Sequence, residues 1–492
     1  MAPHIAVLTL ALAASCYASG DLPQDDGPIA SGRYATFPVI HSTNTDHFGD
    51  VWAKRDVWRR GIETLPLANR SDVAYYAKLN IGSPGQPNYV QLDTGSFELW
   101  VNPDCTNLDA TSDQRFCRAV GSYDPYSSSS AAVTSSTKTL RYGIGSASIQ
   151  YIKDDIGFAG SNVTLKDVQF GAATATVDEF SGILGIGHGV NVTTTYPNFI
   201  DELQMQGVTE TKAFSLALGS KSEQEGVIIF GGIDTGKFAG TLMTQPIIPA
   251  AQSPDGVPRY WIDMNYMSLT PPSGNEKKYD NSTMAVFLDS GATLTLLPQA
   301  LADAVAADFG ASGTDSNGFY EVDCALDDLQ GSINFAFPGV TIQVSYAEII
   351  RELQTGFGTM CYLGITPNDD FVLLGDSMLR SAYAVFDQTG NAIHLAQYMN
   401  CGTNEVEITA STNISSIQGQ CQASSSGSST SSSSSGTSTS GTPASTTTGS
   451  GGASASSTGA SNAAGRSHGS AMVAWLPLWA GLVAVLAPAG IV

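Results

Sequence analysis

The chain has 492 residues, too many for one small core, so two or more packed units are expected. Charged residues make up only 14%, and the formal net charge is −23. This balance rules against nucleic acid, whose phosphates would be repelled, and it suits work in acid, where carboxylates partly protonate.

Residues 1–20 read as a signal peptide. Ile5 to Ala14 is apolar but too short to span a bilayer, and Cys16-Tyr17-Ala18 offers small residues near a cleavage point. Residues 21–60 are polar and show no clear periodicity. They end in Lys54-Arg55 and Arg59-Arg60, which in a secreted chain point to removal of a pro-segment. Two lobes are expected to follow, 61–245 and 246–400.

From Ala74 the chain becomes strand-like. Ala74 to Ile81 leads into Gly82-Ser83-Pro84-Gly85, a turn signal. Short β-rich runs then alternate with Gly, Ser and Asn clusters to about Met399. The helical patterns are few, Asn198–Gln206 and Pro298–Phe309 being the best. The fold class is therefore mostly β.

An apolar run delivers Asp93 into Thr94-Gly95-Ser96, and a second delivers Asp289 into Ser290-Gly291-Ala292. Gly185 of Ile183-Leu184-Gly185 follows Asp93 by 92 residues, and Gly375 of Leu373-Leu374-Gly375 follows Asp289 by 86. Two related β lobes facing each other would explain the repeat. Two carboxyl groups held close cannot both ionise cheaply, so one proton is shared. One carboxylate can then deprotonate a water while its protonated partner donates to the carbonyl oxygen of an amide. Neither a cofactor nor a metal is required. Gly95 and Gly291 let the backbones approach, Thr94 and Ser290 can bond across the lobes, and Ser96 can orient Asp93.

Of seven cysteines, Cys16 would leave with the signal peptide. The remaining even set shows no CxxC metal spacing, and disulfides are the natural reading. Nearest-neighbour pairing gives Cys105–Cys117, Cys324–Cys361 and Cys401–Cys421, although six cysteines admit other connectivities. Asn69, Asn162, Asn191, Asn281 and Asn413 head N-x-S/T sequons, acceptors for glycans where exposed.

A stalk is assigned to 401–470. From about Ala423 to Ser470 its composition collapses into Ser, Thr, Gly and Ala, leaving no apolar face to bury. Residues 471–492 carry no charge. A transmembrane helix would usually be followed by Lys or Arg, and none follows. A terminal apolar tail behind a short polar spacer is the GPI-attachment pattern, with Asn462 as the attachment residue and Gly459 and Ser461 as rivals.

Other motifs fail on context. Gly231 to Lys237 fits a phosphate loop except that Phe238 stands where Ser or Thr is needed. Its Asp234-Thr235-Gly236 is better read as a hairpin turn. Gly185-Ile186-Gly187-His188-Gly189 opens no helix. His188 and His394 are poor stock for a triad or zinc site, and His394 reads as structural.

These stretches resemble the pepsin-like aspartic endopeptidases, the A1 family, in which a proton shared by two aspartates is the long-known arrangement. The likeness runs from about Ala74 to Gln397 and includes Tyr142-Gly143-Ile144-Gly145-Ser146, Phe230-Gly231-Gly232-Ile233-Asp234 and Tyr383 to Asp387. It implies a bilobal fold with a cleft between the lobes, and a catalytic dyad of Asp93 and Asp289. Tyr142 matches the tyrosine on a hairpin flap, and Trp100 the indole that steadies it. The leader, dibasic pairs, stalk and tail resemble the yapsin-like, GPI-anchored fungal subgroup. An acid endopeptidase at the cell surface or wall is implied, monomeric, acting on peptides or proteins and tethered to the membrane through a lipid. The alternative is a non-catalytic surface-binding or wall-structural glycoprotein on the same fold.

There are departures from the family pattern. Ala292 replaces a hydroxyl residue beside the second aspartate, which is expected to raise the active pH range. Gln91 stands at a usually aliphatic position near the pocket for the residue before the scissile bond. Phe97-Glu98 replaces a pair of small or polar residues.

Overall fold

The computed structural model describes residues 34–42 and 74–422, apart from short stretches at 103–104, 108–113, 115–116, 144, 159–162, 178, 180, 224 and 356–357. The leader, the dibasic pairs, Asn69, Asn162, Asn462 and the tail lie outside the described residues.

Twelve strands span the first part: β1 Ala35–Ser42, β2 Ala74–Ile81, β3 Gln86–Asp93, β4 Leu99–Val101, β5 Ala132–Arg141, β6 Ser146–Phe158, β7 Thr164–Val177, β8 Gly182–Gly185, β9 Ala213–Ala217, β10 Glu225–Phe230, β11 Gly232–Asp234 and β12 Phe238–Pro246. With the strands Ala382–Asp387 and Ala392–Tyr398, all but β11 join one 13-stranded sheet. The second part contributes smaller sheets, including one that holds β13 (Trp261–Met264), the strand Met284–Leu288 and Leu373–Leu374.

The internal repeat has a structural origin. β3 runs parallel to β8, with Asp93 opposite Gly185. Met284–Leu288 runs parallel to Leu373–Leu374, with Leu288 opposite Leu374. Each aspartate strand thus takes its Leu-Gly segment as a parallel neighbour. A side chain on Gly185 would meet Glu98 N, and one on Gly375 the carbonyls of Ala292 and Leu294. Only glycine lets the loop after each aspartate pass so closely.

The two helical patterns fold as read. Phe199–Met205 is capped by Asn198 in a reciprocal box with Asp201. Gln299–Asp308 begins after Pro298 and buries Leu301, Ala302, Val305 and Ala306.

Three expectations need correction. Residues 21–60 are not irregular throughout, because β1 lies inside the central sheet between β10 and β2. Ala35, Phe37 and Val39 alternate into the core, and Phe37 packs edge-on against Phe158 at 4.8 Å and Phe230 at 5.4 Å. Residues 401–422 are not stalk. Glu405–Glu407 pairs with β11, Ile408 and Ile414 are buried, and Cys421 closes a disulfide to Cys401. Asp234 does not turn a hairpin, since β11 and β12 pair with different strands. It caps a short 3-10 turn, accepting from Gly236 N at 2.9 Å.

Cys105–Cys117 and Cys324–Cys361 are also bonded. Asn191, Asn281 and Asn413 are exposed.

Candidate active site

Two loops meet at the centre. The first follows β3 and the second follows Met284–Leu288. Gly95 N donates to Asp93 Oδ1 at 2.8 Å, and Gly291 N to Asp289 Oδ1 at 2.9 Å. A β-carbon on Gly95 would lie 2.6 Å from either oxygen of Asp289, and one on Gly291 would lie 2.5 Å from Asp93 Oδ1. Each glycine therefore leaves the space that the other loop's carboxylate occupies.

Thr94 and Ser290 lock the loops together. Thr94 Oγ1 donates to Leu288 O at 2.9 Å and accepts from Ser290 N at 2.9 Å. Ser290 Oγ donates to Leu92 O at 2.9 Å and accepts from Thr94 N at 3.2 Å. Both side chains are buried, so these four bonds escape competition from water. Gln91 adds a one-sided fifth link, Nε2 donating to Gly291 O at 3.1 Å. The aliphatic position has become an interlobe tie.

The carboxyl groups are electrostatically unequal. Burial raises Asp93, and Ser96, the Gly95 N–H, a hydrogen bond with Asp289 and the Arg259 cation pull it back. Ser96 Oγ is buried on the same loop and makes no hydrogen bond of ordinary geometry among the described residues. Burial raises Asp289 too, and the charge on Asp93 adds to the rise. Such a pair shares one proton between its two carboxyl groups.

Tyr142 stands at the β5–β6 turn. Its phenol accepts from Trp100 Nε1 at 2.6 Å, and burial and Asp93 keep it protonated. Beneath it Glu98 is buried, and it accepts from Lys138 Nζ at 2.5 Å, Tyr151 OH at 2.6 Å and Tyr196 OH at 2.8 Å. Phe97 packs against Arg259, 5.7 Å from its guanidinium carbon.

The sequence reading gave no role to three participants. Arg259 donates to Gly95 O from the second lobe. Lys138 supplies the countercharge for Glu98. Asp376 is buried behind Asp289, raised by burial despite the Arg380 cation. The Asp255–Arg259 spacing of four was the only visible hint of the first, and it is a common spacing. His188 and His394 lie elsewhere. Burial lowers both, His188 packing against Tyr260 and His394 Nδ1 sitting 3.0 Å from Thr244 Oγ1.

Comparison with known proteins places the chain among relatives. The model of the eukaryotic aspartyl protease family matches residues 74–398. "Secreted aspartic protease 3" of Candida albicans is 36% identical over 77% of this chain and 92% of its own length. "Probable aspartic-type endopeptidase opsB" of Aspergillus oryzae is 34% identical over 75% and 78%. The crystal structure of aspartic proteinase from Irpex lacteus covers 74% of this chain and 98% of its own, with a TM-score of 0.53 and 20% identity, a likeness of fold.

The chain belongs to the eukaryotic aspartyl protease family, with the mostly β, two-lobed pepsin-like fold. It is an aspartic-type endopeptidase, a hydrolase of peptide bonds.

Proposed function

We propose that Asp93 and Asp289 are the catalytic dyad of a cell-surface endopeptidase that works in acid. In this reading ionised Asp93 takes a proton from a water lying between the carboxylates, and protonated Asp289 donates to the scissile carbonyl oxygen. The resulting gem-diol collapses as a proton passes to the leaving nitrogen. Tyr142, steadied by Trp100, covers the cleft over a bound peptide. The observation that carries the reading is the reciprocal Thr94–Ser290 lattice, which leaves the two carboxylates facing each other. Asp93→Asn and Asp289→Asn are expected to abolish peptide cleavage at acid pH while circular dichroism stays unchanged. Cleavage surviving in both would refute the dyad.

The cell-surface placement rests on the apolar leader, the Ser/Thr-rich stalk and the uncharged tail of 471–492. Relatives named as secreted support export. Asn462 is the proposed lipid attachment residue, and 21–60 the proposed pro-segment. Exposed Asn191, Asn281 and Asn413 are the proposed glycan acceptors, with Asn69 and Asn162. The mature enzyme is read as a yapsin-like monomer acting on peptide or protein substrates. Release of the intact protein from cells by a phosphatidylinositol-specific phospholipase is the expected result, and persistence in the membrane fraction would count against the anchor.

A further inference from the structure

Arg259 lies just before β13 in the second lobe, but its guanidinium reaches the first lobe's loop. Nη1 donates to Gly95 O, and Nε donates to Asp255 Oδ2 at 2.8 Å. Phe97, Phe287 and Phe371 surround the guanidinium carbon at 5.7, 5.4 and 5.7 Å. Asp255 is itself held, since Oδ1 accepts from Val257 N and from Trp261 Nε1, each at 3.0 Å. The cation is therefore fixed at both ends and shielded by three rings, where a charge acts more strongly than in water.

We propose that Arg259 is a positioning residue that clamps the Asp93 loop to the second lobe and supplies a resident positive charge beside the dyad, with Asp255 setting how much of that charge is felt. The inference rests on the dyad reading above. A carbonyl bonded by Arg259 cannot drift, so Gly95 stays where its N–H serves Asp93 and its missing side chain admits Asp289. The cation also favours the ionised form of both aspartates. Tyr142 faces Asp93 from the flap, and Asp376 faces Asp289 from behind, with Arg380 and Arg351 around Asp376. Of these groups Arg259 is the cation that acts on both members of the pair.

The test is the pH profile of kcat/KM on one peptide for wild type, Arg259→Met, Arg259→Lys and Asp255→Asn. Arg259→Met is expected to move both limbs upward by about one unit, the low end for a nearby opposite charge because Asp255 offsets part of it. Arg259→Lys should bring back part of that shift. Asp255→Asn removes the offset and should move both limbs downward by about half a unit. A merely structural clamp would lower activity in all three and leave the limbs in place. Superimposed limbs, or limbs of Arg259→Met and Asp255→Asn moving the same way, would overturn the inference. Should Arg259→Met fail to fold, the downward shift in Asp255→Asn still decides. Asp289→Asn in the same assay separates the two readings. Activity there sinks the dyad itself, whereas inactivity with unmoved limbs sinks only the role of Arg259.

Discussion

Lys138 Nζ lies 2.5 Å from Glu98 Oε1, a half-exposed cation against a carboxylate whose side chain is 6% exposed. Lys138 belongs to β5, which leads into Tyr142, and Glu98 to the segment between Asp93 and Trp100. The pair therefore ties the strand carrying the flap to the loop carrying the first aspartate. Glu98→Ala would leave the phenols of Tyr151 and Tyr196 without their acceptor. We expect a loss of about 2–4 kcal/mol in urea unfolding, the scale for breaking a buried, hydrogen-bonded charge. Glu98→Gln keeps an acceptor and should cost less. Equal losses in the two variants would count against this account.

Ala292 packs against the apolar cluster of Trp261, Phe287 and Leu373. Asp289 accepts from Gly291 N on its own loop, and no hydroxyl stands at 292. Ala292→Thr would place a donor beside the carboxylate and favour its ionised form. The protonated form is the one the mechanism needs, so the alkaline limb of kcat/KM should move to lower pH. An unmoved limb would refute the point.

Neither oxygen of Asp376 has a hydrogen-bond partner among the described residues, and burial raises its pKa well above the ordinary carboxylate range. Asp289 is raised as well. A carboxyl whose folded value exceeds its unfolded one, about 3.9, contributes stability fully below that value and loses it as pH climbs through the folded one. Thermal stability is thus expected to fall from about pH 4 toward neutrality. Asp376→Asn removes one such group and should flatten the slope between pH 4 and 7. Melting curves with identical slopes in wild type and variant would exclude the effect.

Cys401–Cys421 closes a 20-residue separation around a segment that covers β11 and β12. Replacing both cysteines by serine should cost about 3 kcal/mol, the scale for a loop of that length. Activity of the folded fraction should survive, because the bond lies away from the dyad loops. Unchanged urea midpoints would mean that packing of Ile408 and Ile414 alone holds the segment.

Much of the candidate site was legible because its chemistry is local. Asp-Thr-Gly and Asp-Ser-Gly each write a strand, a turn and a carboxylate within a few residues. Their partners Ile-Leu-Gly and Leu-Leu-Gly repeat at similar spacing, so the two lobes could be read as well. The contributions of Arg259, Lys138 and Tyr196 were not legible. Each reaches the site from a distant segment, and a lone cation or phenol carries no signature of where it will fold. β1 was missed for a related reason. Phe37 and Val39 alternate correctly, but Pro38 interrupts the run, and its neighbour β10 lies some 190 residues away in sequence. The folded part of 401–422 was hidden by its polar composition, although Cys421 already marked where ordered structure had to extend.

β1 pairs with β10 over Ala35–Ile40 and with β2 over Ile40–Ser42. Both dibasic pairs lie after it. A cut at either would sever the chain without removing the strand, since the hydrogen bonds and the buried Phe37 remain. The immediate product would be a noncovalent complex of two chains, with a short peptide threaded through the middle of the larger one. Its lifetime would then depend on dilution and on the peptide's off-rate, like that of any bound ligand. Losing that peptide would bare two sheet edges at the molecule's centre, so proteolytic scission and structural rearrangement become separate, separately timed events.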